Sequence, residues 1–342
     1  MGTGLTRRAI LGLSALSVIA PELVSGCGNG VAGSTSTTPA GQTSPFSNTP
    51  PPPPFTVNTK LFGLGLGPYV LPGQDPNTGT VLPANQVQYL VSDAAQYAIW
   101  LRTFGTSGAL MNAGQYIHAA GAKAMIGAFI ADLSTPSTYQ ANLQANQAEL
   151  QRLVQIANNG WADIISVGNE TLYTGYLTES QLLSYITYVR SNVSPTVSVQ
   201  VSTVDTWSAL QGHPNVIAAC DVVLPTIYPF WENSPAPTAV AKLQSDYSQI
   251  LQASGSKPVI IAETGWPSSG PPSSRAPLAI PSAANQLSYF VGAEQWARQN
   301  QIQMIWFEAY SEPWKANYND YPSWGIFDSS YVIEKQFVSA FQ

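Results

Sequence analysis

"TYQANLQANQAELQRLVQIANNGWADIISVGNE", residues 138 to 170, carries two periodicities one after the other. In its first part Leu143, Leu150, Val154 and Ala157 fall on one stripe of a 3.6-residue helix, and Gly160 supplies a stop. From Ala162 the apolar, β-branched run "ADIISVG" (162–168) reads as a buried strand. That strand ends on an amide and a carboxylate side by side, Asn169 and Glu170. A helix feeding such a strand is half of a parallel βαβ unit. Two questions follow: whether the unit repeats, and whether a second carboxylate stands at another strand end.

The unit repeats in both directions. Strands are predicted at 60–66, 98–104, 122–130, 162–168, 196–203, 221–228, 257–263 and 302–310. Helical patterns fall near 84–96, 109–120, 138–158, 179–193, 206–219, 237–253, 282–299 and 331–341. Eight alternating units over about 280 residues match a closed (β/α)8 TIM barrel, a single catalytic domain of the α/β class. An open doubly wound sheet is the alternative, but Gly63-Leu64-Gly65-Leu66-Gly67 after the first strand lacks the G-x-G-x-x-G spacing of a phosphate-binding turn.

Composition narrows the chemistry. The chain is 44% hydrophobic but only 9% charged, against about 25% charged in an average domain. Its polarity comes from Ser, Thr, Asn, Gln and Tyr, which suits uncharged, hydroxyl-rich ligands. A net charge of -6, with no basic run longer than Arg7-Arg8, argues against a nucleic-acid partner. His118 and His213 stand alone, so neither a metal centre nor a cofactor is expected.

Before the barrel lie an address and a tether. Residues 1–26 read as an export signal, with Arg7-Arg8 ahead of the apolar "AILGLSALSVIA" (9–20) and a twin-arginine look to "TRRAIL". "LVSGC" (23–27) resembles a bacterial lipobox, which would make Cys27 a lipidated N-terminus; plain secretory cleavage is the alternative. Residues 27–59 contain no charged side chain and include five consecutive prolines at 50–54, the composition of a disordered, extended spacer. The expected arrangement is a catalytic domain, 60–342, held to a membrane outside the cytoplasm. With Cys27 lipidated, Cys220 has no partner and is expected as a small buried residue.

Barrel chemistry sits at the C-terminal strand ends. Those ends carry Arg102, Asn169, Glu170, Tyr228, Glu263 and Glu308. The second carboxylate is therefore Glu263, in "IIAETGWPSSG" (260–270), on the seventh strand against the fourth strand's Glu170. Two rim carboxylates without metal ligands or a Ser/His pair suit glycoside hydrolysis, in which one acid protonates the leaving oxygen and the other attacks or activates water. Trp231, Trp266, Trp306, Trp314 and Trp324 lie in or beyond strand ends, where indoles can stack on sugar faces. Trp266 is expected to be exposed beside the acid.

These residues together resemble glycoside hydrolase family 17, the β-1,3-glucanases and related glucanosyltransferases. The likeness rests on "GPY…GQDPNTG" (67–79), "RTFG" (102–105), "VGNETL" (167–172), "VVLPTIYPFWE" (222–232), "ETGWPSSG" (263–270) and "WFEAYSEPWK" (306–315), in the family's order. The resemblance implies Glu170 as acid/base, Glu263 as nucleophile, and retention of anomeric configuration. Asn169 would contact the sugar 2-hydroxyl, and Arg102 and Tyr228 would orient the nucleophile. Trp266, Glu308, Glu312, Trp314 and Lys315 would line the substrate cleft. Ala262, where a serine is common, and the first-strand glycines depart from the pattern. The implied function is a retaining endo-β-1,3-glucanase acting on a β-glucan. A glucanosyltransferase using the same intermediate and a non-catalytic carbohydrate-binding lipoprotein are the alternatives.

Overall fold

The computed structural model describes residues 60–330 and 332–341. The signal segment, Cys27 and the linker lie outside the described residues.

Eight parallel strands close into a barrel in sequence order. They are β1 (Leu61–Gly65), β2 (Ala98–Thr103), β3 (Lys123–Ala128), β4 (Ile164–Asn169), β5 (Gln200–Thr206), β6 (Leu224–Thr226), β7 (Ile260–Thr264) and β8 (Gln303–Trp306), with β1 pairing β8. The helices are α1 (Ala84–Ala94), α2 (Ala113–Ala119), α3 (Tyr139–Asn158), α4 (Glu179–Asn192), α5 (Trp207–Gly212), α6 (Pro214–Ala219), α7 (Ala236–Ser254), α8 (Ala283–Gln299) and α9 (Val338–Phe341). The expected (β/α)8 TIM barrel is the observed fold.

Two apolar layers hold it together. Met125, Ile164, Val204, Val222, Leu224, Ile260, Ala262 and Ile305 fill the barrel interior. A larger cluster, including Leu101, Ile126, Ile165 and Ile261, seals strands against helices such as α3, through Leu150, Val154 and Ala157. Burying such side chains contributes roughly 1.5–3 kcal/mol each. The strand periodicity sends neighbouring residues, such as Ile164 and Ile165, to different layers.

The glycines of β1 and its exit have a packing reason. A Cβ on Gly63 would lie 2.7 Å from the Ile305 side chain, and one on Gly65 would lie 3.3 Å from Phe104. One on Gly67 would fall 2.3 Å from a Glu312 oxygen. β1 thus yields its share of the interior to bulky groups from neighbouring strands.

Several expectations shift. β6 and β8 contract from the expected 221–228 and 302–310 to Leu224–Thr226 and Gln303–Trp306. β5 starts at Gln200 rather than 196, because Ile164 pairs with Gln200 at the barrel's lower edge. The single helix expected over 206–219 is two, broken where His213 (φ -127°) precedes Pro214 at a helix first turn; the ring of a proline disfavours helical backbone in the residue before it. The last helical segment contracts to a 3-10 turn, Lys335–Phe337, and the short α9.

Candidate active site

Both carboxylates sit where a strand loses register. The β4–β5 ladder is irregular between Ser166 and Asn169, and the β7–β8 ladder between Ile261 and Thr264. Such irregularities re-aim side chains. Thr264 points outward to Tyr289 of α8, with 2.5 Å between the hydroxyls, while Glu263 faces Arg102 and Tyr228.

Arg102, on β2 and only 1% exposed, ties the site together. Its Nη1 donates to Glu263 Oε1 at 2.5 Å and its Nη2 to Asn169 Oδ1 at 2.8 Å. The Tyr228 hydroxyl donates to the other oxygen, Glu263 Oε2, at 2.8 Å. A guanidinium and a phenol thus hold Glu263 as an acceptor on both oxygens, which fixes its direction. Burial, then the Glu263 charge, pushes the Tyr228 phenol well above its ordinary value, so it remains a donor. Because Asn169 spends its Oδ1 on Arg102, its Nδ2 is left as a donor.

Glu170 has the opposite surroundings. Its Oε1 accepts from the Thr226 hydroxyl at 2.7 Å, and Thr226 is the residue paired with Glu263 across β6 and β7. Burial first, and then the Glu263 charge, raises the Glu170 carboxyl to about 8. Its backbone is left-handed at φ 53°, which costs a non-glycine residue of order 1 kcal/mol or more. Gly168, at φ 81°, opens the turn; a Cβ there would meet Thr171 at 2.7 Å. Asp205, fully buried at the end of β5, accepts from the amides of Leu172, Tyr173 and Thr206 at 2.8, 3.2 and 2.9 Å. Burial raises the Asp205 carboxyl to about 7 against these bonds.

A second charged group lies beyond β8. Lys315 is fully buried between Glu308 and Glu312, bonded to Glu308 Oε1 and 3.1 Å from Glu312 Oε2. Glu312 Oε1 also accepts from the Tyr69 amide at 3.2 Å. Burial pushes the Glu308 carboxyl well above its ordinary range, against the pull of Lys315 and with the push of Glu312. Burial opposes the Lys315 ammonium, but the surrounding carboxylates outweigh it and raise its pKa. Lys315 also lies 4.4 Å over the Phe307 ring, joining the trio to the aromatic floor.

The tryptophans divide. Trp266, expected to be exposed, is fully buried; its Nε1 donates to the Ile280 carbonyl at 3.0 Å, and it packs on Phe230 and Tyr289. The polar tip had a backbone partner in the loop before α8, so the indole turned inward. Trp306 is likewise buried against Tyr289 and Phe290. Trp231 and Trp324 pack with Phe230 and Tyr321, and Trp324 reaches Tyr228 edge-on at 5.6 Å between centroids. Trp314 lines a cavity of about 360 Å³ with Tyr69, Asn77, Phe104, Arg152 and Glu312. That cavity lies beside the carboxylate pair and not on it. Phe104 marks the boundary, with the Arg102 guanidinium stacked on its ring at 4.4 Å.

The structure therefore brings Arg102, Asn169, Glu170, Tyr228 and Glu263 together, places Glu308, Glu312 and Lys315 in an adjoining cluster, and separates Trp266 from both. Thr226 and Asp205 escaped the sequence reading. A hydroxyl two residues before Tyr228 at a strand end was the available signal for Thr226. Among the described residues no three His, Cys, Asp or Glu side chains gather as a metal-binding group.

Residues 66–325 match the model of the BtgE/BtgC glycoside hydrolase domain. A glucan 1,3-beta-glucosidase of Saccharomyces cerevisiae is 28% identical over 280 residues, covering 75% of this chain and 86% of that protein. The fold superposes on a beta-1,3-glucanosyltransferase of Rhizomucor miehei, an active-site mutant in complex with laminaritriose, with a TM-score of 0.69 at 23% identity, covering 82% of this chain and 98% of that one. An endo-laminarinase from Formosa gives a TM-score of 0.65 at 16% identity, covering 83% and 87%. The barrel, the facing carboxylates and the match over most of its length agree: the chain belongs to the BtgE/BtgC glycoside hydrolase domain family, and is a glycosidase of the family-17 kind.

Proposed function

We propose that the chain is a retaining endo-β-1,3-glucanase with Glu263 as nucleophile and Glu170 as acid/base. The single arrangement that carries this reading is Arg102 bonded at once to Glu263 and Asn169, with Glu170 bonded to Thr226, the residue paired with Glu263 across β6 and β7. Glu263 accepts from a guanidinium and a phenol, while burial and the neighbouring Glu263 charge keep Glu170 protonated to about pH 8. Opposed environments of this kind divide an acid from a nucleophile. The β-1,3-glucan assignment draws on the names of the yeast and fungal relatives.

In the first step a Glu263 oxygen attacks the anomeric carbon as the glycosidic C–O bond breaks, and the Glu170 proton passes to the leaving oxygen. Asn169 Nδ2 donates to the 2-hydroxyl of the same ring, a contact that strengthens in the transition state. Glu170, now a carboxylate, takes a proton from water, whose oxygen displaces Glu263. Retention requires the carboxyl groups roughly 5–5.5 Å apart. The test is reducing-sugar release from laminarin. Glu263→Gln and Glu170→Gln are each expected to lower turnover by about 10²–10⁴-fold. A wild-type protein inert on every β-glucan sinks the reading.

The same intermediate passed to a sugar hydroxyl makes a glucanosyltransferase, the activity named for the Rhizomucor protein. Mass spectrometry of products from a single laminari-oligosaccharide separates the two, since only transfer gives chains longer than the starting material. The export signal, Cys27 lipidation and tether remain part of the proposal, placing the barrel outside the cytoplasm on a membrane.

A further inference from the structure

Glu170 is held from two sides by residues that the proposed mechanism does not use. On the side-chain side, the Thr226 hydroxyl occupies Oε1 at 2.7 Å, and Thr226 is itself only 1% exposed. On the backbone side, the Glu170 amide donates to Val204 O at 2.8 Å and its carbonyl accepts from Thr174 N at 3.0 Å. The turn between them is closed by the Asp205 carboxylate on the Leu172 and Tyr173 amides. Neither contact reaches the cleft directly; both act on where and how Glu170 presents its carboxyl.

We propose that Thr226 and Asp205 are positioning residues for Glu170: the Thr226 hydroxyl occupies Oε1 and leaves the transferable proton on Oε2, and Asp205 locks the left-handed turn that aims it. The inference rests on the reading of Glu170 as acid/base. A carboxylic acid whose one oxygen already accepts a buried hydroxyl carries its proton on the other. A left-handed non-glycine residue persists only where its surroundings over-determine it, and Asp205 supplies two of the bonds that do so. Asp205 also adds negative charge beside Glu170, as Glu263 does from β7; Arg102 from β2 opposes them, and Tyr228 faces the same group.

The test compares two donors. A laminari-oligosaccharide needs its leaving oxygen protonated, whereas a 2,4-dinitrophenyl β-glucoside or laminaribioside does not. Thr226→Val is expected to lower kcat/KM on the oligosaccharide about 10–100-fold, as partial loss of general-acid catalysis would, and to change the aryl glycoside less than about threefold. Thr226→Ser should restore most of the oligosaccharide rate. Asp205→Asn is expected to lower kcat more than it raises KM and to move the alkaline limb of kcat/KM to lower pH. Equal losses on both donors, or no loss on either, overturn the Thr226 role; an unmoved alkaline limb overturns that of Asp205. Glu170→Gln run in parallel separates the layers. If that variant loses both donors equally, the acid assignment itself has failed, whatever Thr226 does.

Discussion

At the scale of single residues, protonation is the decisive property. The folded Glu170 value, about 8, stands above the ordinary 4.5. A group raised in this way contributes its stability fully below pH 4.5 and loses it as pH rises to about 8. Two outcomes follow. The kcat/KM profile should fall above roughly pH 8 as the acid loses its proton. Glu170→Gln, which keeps the acceptor for Thr226 without a titrating proton, should be more stable than wild type by about 1–3 kcal/mol at pH 7. In calorimetry that is a Tm gain of about 3–8 °C near neutrality, vanishing at pH 4; a gain independent of pH refutes it. Arg102→Lys should lower kcat/KM by about 10²-fold or more, because one ammonium cannot bond Glu263 and Asn169 in a planar fork. Full activity in that variant would remove Arg102 from the site. The five residues that meet here were legible because each is a polar group at the end of an apolar strand. Asp205 was not, since nothing in sequence distinguishes a carboxylate that caps a neighbouring turn from one at an ordinary strand end. Trp266 was misread because its indole partner, the Ile280 carbonyl, is a backbone atom.

At the scale of elements, the register shifts in β4 and β7 perform the aiming, and no residue type announces them. Strand existence and order were readable from apolar runs. The slip that turns Thr264 out and Glu263 in depends on pairing with β8, which only the folded barrel supplies. The glycines of β1 were readable as a departure but not as a cause. Their role is the space they give, most sharply at Gly67 beside the Glu312 carboxylate. That carboxylate cannot withdraw cheaply, because Lys315 and the Tyr69 amide hold it. Gly67→Ala should therefore cost about 1–3 kcal/mol by overpacking and weaken oligosaccharide binding. A denaturant midpoint and KM both matching wild type would show that Glu312 moves freely. His213-Pro214 is the one break that sequence could have placed, since proline restricts the residue before it.

At the scale of the whole molecule, the barrel and the segment before it obey different physics. A core of aliphatic and aromatic side chains makes the barrel, whereas residues 27–59 carry no charged side chain and are rich in Pro, Ser and Thr, the composition on which the proposed tether rests. Chemistry and location should then be separable by one atom. If the Cys27 sulfur carries the lipid, the full chain expressed in a host with lipoprotein processing takes up labelled fatty acid and sediments with membranes. Cys27→Ala abolishes the label and shifts the protein toward the soluble fraction, because each buried methylene of the lipid contributes about 0.8 kcal/mol of membrane affinity. On short laminari-oligosaccharides, which diffuse freely to either form, kcat/KM should stay within about twofold, since the proposed chemistry assigns Cys27 no part in the bond-breaking step. On an insoluble glucan the tethered form should act only where membrane and polymer meet. An unlabelled wild type, or a Cys27→Ala protein that sediments unchanged, would put the apolar stretch at 9–20 in place of a lipid as whatever holds the chain.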